Sequence, residues 1–419
     1  MNRYKEYKET GFEWMGKIPR DWKLFRVGKF FNERSEKVDD TEYPPLSVTM
    51  SGIVDQLSGV AKTNDGNNRK LVKKDDFVIN SRSDRKGSSG IAPRDGSVSL
   101  INIVLEPYGL DPHFIQYLFK SYYFKEEYFR NGKGIHWDLW TTRWDQLKNI
   151  NIAIPLIKDQ KLISRYLDKK TYYIDQLVKK IQKKIKLLKE QRTSLIKQCV
   201  TKGLDPNVEM KESGVEWIGD IPSHWNYFRN KNILSLSKNI VGDKWSNFTL
   251  LSLGKLGVTV RDIDSGKGKF PENFETYQEV KEGQFVFCLF DIDETPRTVG
   301  LSKQNGMITG AYTVFDCSDK VSPEFIYYFY LTLDDFKGLA PHYSGLRKTI
   351  RPRRFLSLGI YLPKLEEQNR IVEYIEKLTK KIDNLINLED RKKNLLNEYR
   401  HSLISSAVTG KVKISEDMI

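Results

Sequence analysis

The chain has 419 residues, 39% hydrophobic and 30% charged, which is typical of a soluble globular protein with two or three domains and excludes a largely disordered chain. Its 69 Lys and Arg against 55 Asp and Glu give a net charge of +14, which favours a polyanionic partner such as nucleic acid. The apolar runs are too short to cross a bilayer, the start MNRYKEYKET predicts no signal peptide, and the isolated cysteines Cys199, Cys288 and Cys317 argue against a disulfide framework, so we expect a cytoplasmic protein.

A tryptophan motif near the N-terminus occurs twice. Residues 8–22, KETGFEWMGKIPRDW, return as residues 211–225, KESGVEWIGDIPSHW, with nine identical positions. Later landmarks recur in the same order at a similar offset, so the chain is predicted to contain two copies of one unit. Both copies keep their apolar positions, namely Trp14, Ile18 and Trp22, then Trp217, Ile221 and Trp225. We therefore interpret the motif as packing each domain against the helix ends.

Each copy opens with a predicted α+β domain, over residues 1–152 and 206–360. Residues 72–80 and 281–289 are rich in β-branched and aromatic residues with turn formers at their flanks, which predicts strands. Residues 114–119 and 325–330 each follow a proline and have the pattern of a short amphipathic helix.

Each copy closes with a predicted long helix, over residues 153–205 and 361–419, the latter with a C-terminal tail. Gly and Pro are absent for most of both segments, and apolar residues recur at alternating spacings of four and three, which predicts a coiled-coil seam. The seam is predicted to comprise Ile174, Val178, Ile181, Ile185, Leu188 and Leu195 of the first helix and Ile371, Ile375, Leu378, Ile382, Leu385, Leu396 and Leu403 of the second. Two copies of a unit tend to pair through a two-fold axis, so we expect antiparallel helices with one α+β domain at each end of a rigid spacer.

These features resemble the specificity subunit of type I restriction–modification enzymes. The resemblance rests on the repeated GxEWxGxIPxxW entry, the variable α+β domain, the long helix that follows, and the repeat of all three, and it covers residues 8–410. Matched helix positions are Gln160/Gln368, Ile163/Ile371, Tyr166/Tyr374, Thr171/Thr379, Ile174/Ile382, Asp175/Asp383, Leu177/Leu385, Arg192/Arg400, Ser194/Ser402, Leu195/Leu403 and Val200-Thr201/Val408-Thr409. One departure is that the second helix carries Glu389 and Lys393 in its seam, which we interpret as a contact for partner subunits.

The resemblance implies an α+β fold with two pseudo-two-fold-related target recognition domains separated by two long antiparallel helices. It implies a non-catalytic subunit that reads an asymmetric bipartite DNA target, with a gap set by the helices. Two methyltransferase (modification) subunits and two restriction (translocase–nuclease) subunits would complete the enzyme. Methyl donor, ATP and Mg²⁺ would be bound by those partners, and this chain would bind no cofactor and no metal.

Four segments are candidate DNA-reading loops because they carry basic and small polar residues that suit base edges and phosphates. In the first domain they are loop A1 (residues 80–89) and loop B1 (residues 133–143). In the second they are loop A2 (residues 293–298) and loop B2 (residues 342–354). The predicted contact residues are Asn80, Arg82, Arg85, Lys86, Lys133, His136, Thr141 and Arg143, then Arg297, His342, Tyr343, Arg347, Lys348, Arg351, Arg353 and Arg354.

Other interpretations remain open on the sequence. A nuclease would use the acidic run Asp291, Asp293 and Glu294, although no P-loop, dinucleotide fingerprint or metal-ligand spacing accompanies it. A coiled-coil adaptor, or a DNA-binding subunit whose methyltransferase and nuclease partners are fused, would share the repeat. The helix lysines Lys179, Lys180, Lys183, Lys184, Lys186 and Lys189 suit phosphates, a solvated coiled-coil face or a methyltransferase partner equally well.

Overall fold

The computed structural model describes residues 3–58, 66, 68–136, 140–261, 274–343 and 348–419. The chain divides into two compact units, the first made of Met1–Gln182 with Asp390–Ile419 and the second of Lys183–Glu389. Each unit therefore contains one α+β domain and part of each long helix. Over the described ranges, no helix has the length and apolar character needed to cross a membrane.

Over its described residues, the first unit has thirteen short strands and three short α-helices before the first long helix. Its strands are β1 (Tyr7–Glu9), β2 (Lys17–Pro19), β3 (Lys23–Arg26), β4 (Phe31–Glu33), β5 (Lys37–Val38), β6 (Leu46–Thr49), β7 (Gly52–Asp55), β8 (Arg69–Val72), β9 (Phe77–Asn80), β10 (Ser89–Ile91), β11 (Gly96–Ser99), β12 (Asn102–Pro107) and β13 (Asn151–Ile154). Its helices are α1 (Pro112–Lys120), α2 (Tyr122–Arg130) and α3 (Trp144–Leu147), and α4 (Ile157–Lys202) begins in it.

The second unit repeats this order. Its strands are β14 (Met210–Glu212), β15 (Asp220–Pro222), β16 (Asn226–Arg229), β17 (Leu234–Ser237), β18 (Leu251–Gly254), β19 (Gly257–Val260), β20 (Gln278–Val280), β21 (Phe285–Phe287), β22 (Val299–Leu301), β23 (Gly306–Ile308), β24 (Thr313–Cys317) and β25 (Gly359–Leu362). Its helices are α5 (Pro323–Asp335) and α6 (Pro352–Ser357), and α7 (Leu365–Val408) begins in it and ends in the first unit.

The sheets confirm that the sequence repeat is also a structural repeat. The largest sheet of the first unit has the order β10-β9-β12-β4, and that of the second has the order β22-β21-β24-β17. The smaller pairs correspond as well, with β1-β2 matching β14-β15, β3-β13 matching β16-β25, and β6-β7 matching β18-β19. The fold class is therefore α+β, built twice.

The strand predicted over residues 72–80 is in fact two strands joined by a turn. The Asp76 amide donates to the Lys73 carbonyl at 3.1 Å, and Asp75 has a positive φ of 70° that no strand allows. In the second unit Gly283, with φ of 83°, turns the chain in the same way before β21. The predicted strand is correct only for its second half in both copies.

The predicted short helices are confirmed, and both are capped and tied to a long helix. Asp111 caps α1 by accepting from the Phe114 amide at 2.9 Å, and Ser322 caps α5 in the same way. The side chain of Gln160 accepts from the Asp111 amide at 2.9 Å, and that of Gln368 accepts from the Ser322 amide at 2.9 Å. In each unit, the matched glutamine therefore links the cap residue of the short helix to the long helix.

The long helices run antiparallel within each unit. Arg400 forms an ion pair with Asp175 at 3.0 Å in the first unit, and Arg192 forms one with Asp383 at 3.0 Å in the second. These are the same matched positions with the two helices exchanged. In the second unit Lys184 also pairs with Glu389 at 2.6 Å, which fixes the opposite direction of the helices there.

The structure buries or half-buries the predicted seam positions, with one exception. Its buried members are Ile174, Ile181, Ile185, Ile371, Ile375, Ile382 and Leu403, and its half-buried members are Val178, Leu188, Leu195, Leu378 and Leu396. The prediction that Leu385 belongs to the seam is wrong, because its side chain is 44% exposed. Its matched residue Leu177 is exposed as well. After Ile382 the next inward position is Ile386, one residue further on, which is the match of Val178 and is half-buried.

Each tryptophan motif packs where one long helix begins and the other ends. Met15, Ile18 and Trp22 share a core with Ile163 of α4 and Val408 of α7. In the second unit Ile218, Ile221 and Trp225 share a core with Val200 and Ile371. The predicted packing role is confirmed.

Candidate nucleic-acid interface

The two predicted reading loops of the first unit lie side by side at the end of β9. Loop A1 follows that strand directly, and Arg82 forms a β-bridge with Thr141 of loop B1. The Thr142 amide donates to the Ser81 carbonyl at 2.9 Å. Segments about 60 residues apart in sequence thus form one surface.

A buried tyrosine contacts both loops beneath this surface. The Tyr128 hydroxyl lies 3.3 Å from the Asn80 carbonyl and 3.2 Å from the Thr142 carbonyl, so it bridges the two loops. Burial raises the pKa of Tyr128 well above its usual range, which keeps the phenol neutral and able to donate. Tyr128 is not among the residues predicted from the sequence, although the aromatic run of α2 indicates a helix with a packed face.

The predicted contact residues of the first unit divide into structural and accessible side chains. Asn80 is 8% exposed and its side chain accepts from the Arg82 amide at 3.0 Å, so it shapes the loop. Lys86 is bound to Glu126 at 2.8 Å and lies over the ring of Phe129, and Thr141 is half-buried. The accessible cationic or titratable side chains are Arg82, Arg85, Lys133, His136 and Arg143.

Loops A2 and B2 of the second unit meet in the equivalent place, beyond β21. Phe290 forms a β-bridge with Thr349, and the Ile350 amide donates to the Leu289 carbonyl at 2.7 Å. The Asp291 amide donates to the Lys348 carbonyl at 3.1 Å. In both units, the candidate loops therefore lie at the same edge of the equivalent four-stranded sheet.

The acidic run of loop A2 is tied to the basic loop. Lys348 pairs with Asp293 at 2.7 Å and lies 3.7 Å from Glu294, and the Tyr343 hydroxyl donates to Asp293 at 2.6 Å. The hydrogen bonds from Lys348 and then Tyr343 lower the pKa of Asp293 to about 2. Among the residues placed by the structure, no group of three or more His, Cys, Asp or Glu could hold a metal ion.

Arg297 has an internal partner. Its guanidinium pairs with Asp334 at 3.2 Å and Asp335 at 3.4 Å, and the Asp334 side chain is only 1% exposed. Asp334 also accepts from the Thr298 amide and pairs with Lys337 at 2.9 Å. The structure thus gives Arg297 the role of neutralising a buried carboxylate, in competition with the predicted base contact.

Loop B2 carries the most accessible positive charge. Arg351, Arg353 and Arg354 are exposed at the start of α6, and no carboxylate of the described chain lies within ion-pair distance of them. His342 is half-buried, and burial followed by Arg354 lowers its pKa. Arg347 lies outside the described residues.

The helix lysines are exposed, and two have partners. Lys184 pairs with Glu389 and Lys186 with Glu190 at 3.8 Å. Glu389 is buried in the seam, and Lys393 pairs with Asp390 at 2.6 Å on its own helix. Both polar seam residues, interpreted above as a partner contact, therefore have partners within the chain.

The structure thus contains two copies of an α+β scaffold, each joined to two long helices. Exposed basic side chains lie at one sheet edge of each copy, which suits a DNA-binding protein with two similar domains. Residues 19–187 and 307–398 match the family model "Type I restriction modification DNA specificity domain". Because the match covers more than half of the chain, the protein belongs to the type I restriction–modification DNA specificity family.

Two relatives of this chain carry the name of a specificity subunit. The chain is 26% identical over 442 residues to the type I restriction enzyme MjaVIII specificity subunit of Methanocaldococcus jannaschii, covering 97% of each chain. It is 25% identical over 277 residues to the putative MjaX specificity subunit of the same organism, covering 64% of this chain and 61% of that one.

Solved structures share the fold. One chain, from a study of assembly and conformational transition of the type I restriction–modification system, has a TM-score of 0.64 at 15% identity, covering 93% of this chain and 98% of that one. The HsdS subunit from Thermoanaerobacter tengcongensis has a TM-score of 0.52 at 16% identity, covering 94% of this chain and 98% of that one.

Proposed function

We propose that this chain is the DNA-reading subunit of a type I restriction–modification complex and carries no catalytic site of its own. It reads an asymmetric bipartite target, one half-site with loops A1 and B1 and the other with loops A2 and B2. The observation that carries the proposal is that two pairs of distant loops converge at the same sheet edge of a duplicated fold, with different exposed cations in each copy.

The half-sites are expected to differ because the loops differ. Arginine donates in a fork that suits guanine, and it also binds phosphates. Loop B2 offers Arg351, Arg353 and Arg354, whereas loops A1 and B1 offer Arg82, Arg85 and Arg143 among small polar residues. Two copies with the same scaffold and different loop chemistry would read two different short sequences.

Chemistry would come from partner subunits. We propose two methyltransferase subunits, which flip and methylate an adenine in each half-site, and two restriction subunits. Methyl donor, ATP and Mg²⁺ would be bound by these partners, and the two long helices would set the unread gap between half-sites. Support for the division of labour is the family membership together with the paired state of Asp293, the best acidic candidate for catalysis.

The test is to co-express the chain with its methyltransferase partner and to map methylated adenines across a host genome at single-base resolution. We expect one bipartite motif, methylated on both strands. The triple variant Arg351→Gln, Arg353→Gln, Arg354→Gln should abolish methylation at that motif.

A matched control neutralises Lys281, Lys303 and Lys320, which are exposed at the opposite end of the sheet from loops A2 and B2. That variant should leave the motif unchanged. A stable complex with no motif would favour a coiled-coil adaptor, and nicking of plasmid by the purified chain with Mg²⁺ would favour a nuclease.

A further inference from the structure

A basic cluster lies beside loop A1, outside every predicted reading loop. It consists of Lys120 at the end of α1, Lys125 on α2, and Arg400 and His401 on α7, all in the first unit. Lys125 packs against Gly87 of loop A1, where a Cβ would lie 2.9 Å from its Cδ. Lys120 donates to the Ser51 carbonyl at 3.2 Å.

The cluster is short of negative charge. Within the cluster Arg400 is paired with Asp175, and the neighbouring Glu126 is paired with Lys86, so the uncompensated positive charge is that of Lys120 and Lys125. In the part of the chain that the structure describes, no carboxylate lies within ion-pair distance of Lys120 or Lys125. Charged groups that are partly buried without a counter-charge are costly, so an anion supplied from outside would be bound favourably.

The pKa values of these groups are lowered by burial and by the neighbouring positive charges. Burial, then Arg400 and Lys125, lowers the pKa of Lys120 to about 8. Burial and then Lys86 lower the pKa of Lys125, and burial followed by Lys125 and Arg400 lowers that of His401. Mutual repulsion between cations is what a phosphate would relieve.

The fold does not need the cluster. At the positions of the second unit that match Lys120, Lys125 and His401 stand Leu331, Phe336 and Thr193, and only Arg192 is retained. The second unit forms the same four-stranded sheet without these charges, and its described elements include no helix equivalent to α2. The cluster is therefore specific to the first unit, as a ligand-binding feature would be.

We propose that the basic cluster binds a backbone phosphate of the DNA duplex, next to the bases that loop A1 reads. DNA is favoured over a free phosphate because Lys125 joins the cluster directly to loop A1. This inference rests on the proposed function. It adds that the first half-site is held by phosphate contacts that the second lacks.

The first test measures the salt dependence of binding of the full chain to a random-sequence duplex between about 50 and 200 mM salt. Each phosphate contact adds about 0.9 to the slope of log affinity against log salt. The double variant Lys120→Gln, Lys125→Gln removes this one phosphate contact and should therefore lower the slope by about 0.9. The control Lys74→Gln, an exposed lysine before β9 rather than after it, should leave the slope unchanged.

The second test separates a direct contact from a structural role. Phosphate binding should restore the proton on Lys120, so calorimetry near pH 8 in two buffers should detect proton uptake on DNA binding. Lys120→Arg stays charged, and it should keep the salt slope but lose that proton uptake.

A further measurement repeats the calorimetry with inorganic phosphate added at constant ionic strength. If phosphate alone abolishes the proton uptake, the cluster is a free-phosphate site and the DNA assignment is overturned. An unchanged slope in the double variant overturns the inference and leaves the proposed function standing. A lowered slope with no methylated motif in the genome keeps the inference and overturns the proposed function.

Discussion

Arg297 and Arg351 carry the same charge in neighbouring loops of the second unit but have opposite surroundings. Arg297 is paired with the buried Asp334, whereas Arg351 is exposed with no carboxylate beside it among the described residues. A buried carboxylate that loses a partner is strongly destabilising, but an exposed arginine contributes little to folding.

We therefore expect opposite phenotypes from the same substitution. Arg297→Gln should lower the free energy of unfolding by about 2 kcal/mol, because Asp334 keeps only Lys337 and the Thr298 amide as partners. Arg351→Gln should leave stability unchanged and weaken target binding about tenfold or more. Urea unfolding and a DNA titration on both variants decide the matter. Equal stabilities would refute the internal role of Arg297.

Residue-level function is where the sequence informs least. The composition of the loops indicated a DNA interface, but nothing in the string separates the paired Arg297 and Lys86 from the free Arg351. That distinction depends on Asp334 and Glu126, which come close only in the folded chain. The basic cluster was missed for the same reason, since Lys120 and His401 are far apart in sequence.

At the scale of elements, the helix ends offer an internal comparison. Gly203 and Gly410 both end a long helix with φ near 70°, at 71° and 72°. A Cβ on Gly410 would lie 2.6 Å from Cγ of Pro19, whereas a Cβ on Gly203 would have its nearest neighbour at 3.5 Å. The repeat thus supplies two glycines with the same backbone and different packing.

Gly203→Ala should lower the free energy of unfolding by about 1 kcal/mol, the cost of a left-handed alanine. Gly410→Ala should cost about 1 to 3 kcal/mol more, because overpacking must displace Pro19. Thermal unfolding of the two variants side by side measures the difference. Equal losses of unfolding free energy would mean that Pro19 moves away from the added Cβ at little cost.

The polar pair in the seam supplies a second element-level prediction. Replacing Lys184 with Met and Glu389 with Leu together should leave the free energy of unfolding nearly unchanged, since only Glu389 is buried and apolar packing can replace such an ion pair. Glu389→Ala alone should destabilise it by about 2 kcal/mol.

Co-purification of the methyltransferase with the double variant tests the earlier interpretation of Glu389 as a partner contact. A complex that survives assigns Glu389 to the seam. A complex that dissociates although the chain is stable restores the partner contact.

Elements were predictable where a single period dominates. Alternating spacings of four and three gave both long helices and all seam positions except Leu385, where the inward face moves on by one residue to Ile386. The strands were harder, because a turn such as residues 73–76 interrupts a β-rich run without Gly or Pro. Pairing between strands depends on contacts across the unit, which no local pattern encodes.

At the scale of the whole molecule, the duplicated fold makes the two reading surfaces separable. Exchanging residues 23–150 for the domain of another family member should change one half-site of the methylated motif and leave the other. The reason is that loops A1 and B1 both lie within that segment. Genome-wide methylation mapping checks the result, and a change in both half-sites would contradict the assignment of one loop pair to each.

The helices should act as the ruler of the gap. Deleting residues 180–186 and 388–394 removes about seven residues from each helix, or ~10 Å of rise at ~1.5 Å per residue. At about 3.4 Å per base pair, the gap should shorten by about three base pairs with both half-sites retained. Altered half-sites with an unchanged gap would refute the ruler.

The division of the chain into units also sets the order in which it can fold on the ribosome. The second unit is one continuous stretch, Lys183–Glu389, whereas the first needs both the opening of the chain and its last thirty residues. Its core around Trp22 includes Leu403, Ile404, Ala407 and Val408, which are synthesised only after the whole second unit. Multidomain chains usually complete their N-terminal domain first during synthesis. Here the unit that emerges first cannot complete its core until the second unit and the end of α7 have been synthesised.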